Sequence, residues 1–113
     1  MKKSPDVLAD LGRFSEPALL ILVSLLDGAK HGAAIVEDIE GFAGRRLGPG
    51  TLYGAIGRLE RLDLIRALPD EGRRRPYRLT DEGLTEVRHA LDQMATLAGH
   101  GQRRLRRLGV TPA

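Results

Sequence analysis

Apolar positions recur along this chain at helical spacing, switch briefly to a strand-like pattern, and then return to helical spacing. Val7, Leu8, Leu11 and Phe14 put one apolar face on residues 4–14, which predicts a short leading helix. Ser15-Glu16-Pro17 reads as the start of the next helix, with Ser15 as cap and Pro17 in the first turn. The run Ala18 to Leu26 is apolar over most of its circumference and interrupted only by Ser24, so it is predicted to be central to the core. Asp27-Gly28 ends it. His31-Gly32 opens a second helix, in which Ile35, Ile39 and Phe42 share a face and Gly41 and Gly44 mark the end. Residues 45–48 form a connector. Pro49 begins a third helix, with Leu52, Ile56, Leu59 and Leu62 as an inward stripe. Thr51, Tyr53, Arg58 and Arg61 fall off that stripe and face outward.

The period then changes. Residues 64–68 and 76–79 read as two short strands, joined by a turn rich in Pro, Gly and charge whose tip carries Arg73, Arg74 and Arg75. Thr80 is a good N-cap, and Asp81 and Glu82 suit the first turn of the helix after it. In that helix Leu84, Val87, Leu91, Met94 and Ala98 alternate at three and four residues, a heptad seam whose spacing continues to Leu105 and Leu108. The expected organisation is a leading arm or short helix over 1–14, a helical unit ending in a hairpin over 15–80, and a long helix with a basic tail over 81–108. Three helices followed by a two-stranded hairpin is the winged helix-turn-helix arrangement, so the fold class is mainly α with a small β-hairpin.

Composition narrows the chemistry. The chain has 113 residues, enough for one domain with its own core. It has no cysteine, which excludes a disulfide scaffold, thiol catalysis and cysteine-ligated zinc, and fits a reducing compartment. Its longest apolar run falls well short of the roughly 20 residues that cross a bilayer. Asp6, Asp10 and Arg13 break any apolar region a signal peptide would need, so a soluble cytoplasmic protein without membrane association is expected. The net charge is only +3, but it is unevenly spread. Residues 45–78 hold nine arginines against Glu60, Asp63, Asp70 and Glu71, a local excess of +5, and residues 103–107 hold four more arginines. Concentrated arginine suits a polyanionic partner, although a solvated arginine-rich surface has the same composition.

The three histidines, His31, His89 and His100, lie in separate elements without metal-ligand spacing. Gly48-Pro49-Gly50-Thr51 lacks the spacing of a phosphate-cradling loop, and no carboxylate pair flanks a nucleophile. No enzyme activity, cofactor or metal is expected. Double-stranded DNA fits better. The second helix of a helix-turn-helix motif enters the major groove by its N-terminal residues. Here these are Gly50, Thr51, Tyr53 and Gly54, with Arg58 and Arg61 one turn on for phosphates. Arg73, Arg74 and Arg75 suit the adjacent minor groove or its phosphates. Gly54 and Gly57 each cost roughly 1 kcal/mol of helix propensity. Close approach to a partner, or close packing within the protein, would account for them.

Gly50-Thr51-Leu52-Tyr53-Gly54, Tyr77-Arg78-Leu79-Thr80-Asp81-Glu82-Gly83 and His31-Gly32, in that arrangement, resemble the PadR family of bacterial transcriptional regulators over residues 15–98. Three positions depart from the family pattern. Gly54 stands where the family usually has proline, Ala33 where it often has tyrosine, and Asp63 where glycine is common before the first wing strand. The resemblance implies a repressor of a nearby operon that reads a roughly palindromic operator. It also implies a homodimer held by the last helix, in this chain through Leu84, Val87, Leu91, Met94 and Ala98. Burial of part of that seam in the monomer's own core is compatible with the same spacing. Many relatives respond to small aromatic or lipophilic effectors. Phe14, Phe42, Tyr53 and Tyr77 are the only aromatic residues such a pocket could use. The alternative is a winged-helix protein-interaction module with no specific DNA site.

Overall fold

The structure, a computed structural model, describes residues 17–69, 72 and 74–109. The expected helix over 4–14, the Ser15 cap and Arg73 lie outside the described residues. The element order is α1 (Leu19–Ser24), a 3₁₀ turn (Leu25–Asp27), β1 (Lys30–His31), α2 (Gly32–Ala43), α3 (Pro49–Arg61), β2 (Ile65–Ala67), β3 (Pro76–Leu79) and α4 (Asp81–Arg107). The strands form one antiparallel sheet in the order β1-β3-β2. The hairpin is therefore extended by a third strand, which pairs Lys30 with Tyr77 and His31 with Pro76. β1 runs straight into α2, and this joins the wing to the helix-turn-helix.

One core holds these elements together. Ile21, Leu22 and Leu25 meet Ile35 and Ile39 of α2, Leu52, Ile56 and Leu59 of α3, Leu64 and Ile65 beside the hairpin, and Val87 of α4. Two residues expected on inward faces lie outside it. Phe42 is 48% exposed and Leu62 is 55% exposed. Both sit at helix ends, where the chain has already left the core. Val36 and Ala55 are buried in their helices instead. Pro49 is at the first turn of α3, where its missing N–H costs nothing, as its position in the sequence implies.

The entry to the helix-turn-helix is fixed by a polar cluster. The buried Ser24 hydroxyl donates to Asp38 Oδ2 at 2.7 Å. Lys30 donates to the Ser24 carbonyl and to Asp27. That bond to Lys30 holds the Asp27 carboxyl below its ordinary range. Leaving a buried hydroxyl unpaired is costly, so the cluster sets how α1 meets α2.

The junction of wing and α4 is as closely specified. The Thr80 hydroxyl accepts from Gly83 N at 2.9 Å and donates to the Asp63 carbonyl at 2.7 Å. Thr80 N donates to the Leu64 carbonyl at 3.1 Å. A Cβ on Gly83 would collide with that same carbonyl oxygen, so only glycine fits. Asp63 has φ +62°, the left-handed region that favours glycine and that Asp tolerates better than most residues. This explains why aspartate is accepted there.

Candidate nucleic-acid interface

α3 divides cleanly into two faces. Leu52, Ala55, Ile56 and Leu59 are buried, whereas Gly50, Thr51, Tyr53, Gly54, Arg58 and Arg61 are exposed. All the α3 residues expected to meet a partner are therefore on its open side. They do not form one cluster. Gly50, Thr51, Gly54 and Arg58 line a groove of about 420 Å³ shared with Pro17 and Ala18. Tyr53 lies on the opposite flank, in a cavity of about 330 Å³ with His31, Gly32, Ala33, Arg74, Arg75 and Tyr77. Arg61 folds back along its own helix, its Nη1 3.5 Å from where a Gly57 side chain would begin. Among the described residues no atom lies within 4 Å of a Cβ built on Gly50 or Gly54, so their packing does not require glycine at either position.

The wing reaches the same surface. Ile65 pairs with Leu79, Arg66 with Arg78 and Ala67 with Tyr77, and Leu68 N donates to the Pro76 carbonyl at 2.8 Å. Arg74 and Arg75 are exposed, and Arg74 Nη1 lies 3.1 Å from His31 Nε2. This bond ties the wing to the start of α2. Sequence reasoning misses two further cations, Arg66 and Arg78, which are exposed and directly opposite one another. Like charges so placed destabilise a sheet unless a counter-charge faces them. Arg66 has Asp63 at 3.5 Å for this, and Arg78 donates to its neighbour's carbonyl. The alternation of Arg66 and Arg78 with inward residues is the signal that could reveal them. Arg46, by contrast, is paired with Glu40 at 2.7 Å.

The long helix splits along its length. Near its start Gly83 and Val87 are buried and Ala90 is partly buried against the core. The heptad spacing places Val87 on the open seam, but at 1% exposure it is used within the chain's own core. Leu84, Leu91 and Met94 are 40%, 39% and 50% exposed, and Ala98 is also exposed. Leu97, Leu105 and Leu108 extend this apolar exposure toward the C-terminal end. Among the described residues no group of three or more His, Asp or Glu could hold a metal ion, and no helix is long and apolar enough to cross a membrane.

Residues 21–89 match the family described as "Transcriptional regulator PadR-like family". The chain belongs to that family. A transcriptional regulator of Mycobacterium tuberculosis is 38% identical over 90 residues, covering 74% of this chain and 83% of that protein. A 37.1 kDa protein from a transposon of Streptomyces fradiae is 45% identical over 87 residues, covering 77% of this chain. The match takes in only 25% of the Streptomyces protein's own length. A PadR family transcriptional regulator from Eggerthella lenta superposes with a TM-score of 0.68 at 29% identity, over 89% of this chain and 90% of that one. The PadR winged-helix architecture is thus shared by chains of quite different sequence.

Proposed function

We propose that this PadR-family regulator is a dimeric, cytoplasmic, sequence-specific DNA-binding repressor. Residues 15–80 are the DNA-binding unit, and 81–108 carry the dimerisation helix and basic tail. The observation that carries the reading is the division of α3, which buries every large aliphatic side chain before Leu62 and keeps Gly50, Thr51, Tyr53, Gly54, Arg58 and Arg61 open. The N-terminal end of such a helix presents side chains to base edges in the major groove. Thr51 and the side-chain-free Gly50 and Gly54 form the part that approaches the bases. Arg58, Arg61 and the wing arginines Arg73, Arg74 and Arg75 bind phosphates or the minor groove.

The open part of α4 supports dimerisation. A helix of 27 residues whose later turns expose Leu91, Met94, Leu97 and Leu105 is poorly stabilised unless another apolar surface covers it. A second copy of the same helix, related by a two-fold axis, supplies one and would place two α3 helices against successive major grooves.

Titration of labelled fragments from the gene's own upstream region against random duplexes tests the reading. A regulator should prefer one fragment on the order of a thousandfold. Equal affinity for all fragments would leave a winged-helix interaction module instead.

A further inference from the structure

Tyr53 leaves α3 between Thr51 and Gly54, yet its ring does not stand out alone from the helix. It is seated against the first residue of α2. A Cβ on Gly32 would collide with the Tyr53 hydroxyl and come within 3.1 Å of ring carbon Cζ, so a larger residue there would turn the ring out of its present seat. The hydroxyl thereby reaches the cavity between α3 and the wing. Among the described residues that cavity is lined by His31, Arg74 and Arg75 and by no carboxylate. The Arg74 guanidinium only donates, so at 3.1 Å His31 Nε2 is the acceptor, which holds Arg74 beside the cavity with further N–H groups to spare. The Tyr53 hydroxyl has no hydrogen-bond partner among the described residues.

We propose that this cavity seats one phosphate of the DNA backbone, bound by the Tyr53 hydroxyl and the Arg74 guanidinium, and that Gly32 is the positioning residue that puts the hydroxyl there. The inference rests on the DNA-binding reading and deepens it. It moves Tyr53 from base reading to backbone positioning. A hydroxyl and a guanidinium are the donors that fix a phosphate, and the cavity lies on the flank of α3 rather than on its outward ridge. Phosphate bonds of this kind set register and carry no sequence information, so their removal lowers affinity for every duplex alike.

Anisotropy titrations on an upstream duplex and a random duplex of equal length test this. Tyr53→Phe keeps the ring and removes only the hydroxyl. Its affinity should fall by roughly tenfold or more on both duplexes, the size of a hydrogen bond to a charged group, with their ratio unchanged. Gly32→Ala should weaken binding in the same way, and no further when combined with Tyr53→Phe. Tyr53 and Tyr77 are the only tyrosines and there is no tryptophan, so Gly32→Ala should also change the tyrosine fluorescence of the free protein. Should Gly32→Ala fail to fold, the pair Gly32→Ala/Tyr53→Ala, which lacks the colliding ring, should recover the fold. A Tyr53→Phe protein with unchanged affinity, or with an altered ratio between the duplexes, overturns the assignment. So does a Gly32→Ala protein with unaltered fluorescence and affinity or, where Gly32→Ala does not fold, a double variant that does not fold either. A wild-type protein that binds both duplexes equally ends the sequence-specific reading, while weaker binding of Tyr53→Phe to the random duplex still upholds the phosphate seat. Binding to neither duplex overturns both.

Discussion

Three residues show how single positions are held by backbone geometry. Gly83 meets the Leu64 carbonyl where a Cβ would be, and Thr80 bonds both the start of α4 and the Asp63 carbonyl. Thr80→Val should lower unfolding free energy by about 1–2 kcal/mol in a urea titration, as expected when a cap is removed. Asp63 is the opposite case. At φ +62° it occupies a conformation that costs other L-residues roughly 1–2 kcal/mol, and its partner Arg66 is an exposed one at 3.5 Å. Asp63→Gly should therefore raise stability, by up to about 1 kcal/mol. No described atom lies within 4 Å of a Cβ built on Gly54, so Gly54→Ala should stabilise α3 by roughly 1 kcal/mol in the same titration. If glycine is kept there for close approach to DNA, that more stable variant binds its duplex more weakly.

At the scale of elements, the sequence carries the helices and the wing but not their depth or their partners. Periodicity identifies α2, α3 and α4 because each repeats an apolar face over several turns. It places Phe42 and Leu62 on those faces as well, since spacing reports direction around a helix and not whether the core still lies alongside. β1 is invisible for a different reason. Lys30 and His31 are too few to show alternation, and they become a strand only because β3 offers its free edge. The same long-range pairing brings His31 to Arg74, and with Gly32 it defines the cavity that Tyr53 enters. No local pattern announces a meeting of residues so far apart in the chain. For the wing, replacing Arg73, Arg74 and Arg75 with alanine should weaken binding to all sequences. The slope of log affinity against log salt should fall by about 1 for each phosphate no longer neutralised. An unchanged slope would remove the wing from the interface.

At the scale of the whole molecule, α4 carries the surface of the proposed dimer. It is about 40 Å long at 1.5 Å per residue, and among the described residues it meets the core through its first turns. The seam from Leu84 to Ala98 is thereby divided. Val87 is buried within the chain, and Leu84, Leu91, Met94 and Ala98 are the exposed positions that the proposed dimer would cover. Leu91→Asp should give a folded monomer by light scattering with much reduced affinity for its duplex, and a variant that stays dimeric would place the interface elsewhere. Dimer and DNA reading together make one geometric claim, since two α3 helices related by a two-fold axis must meet two half-sites. Footprinting on the gene's own upstream region measures it directly. The account predicts two protected half-sites, inverted with respect to one another and about one helical turn apart. A single unrepeated protected site, or protection that follows no sequence, would contradict it.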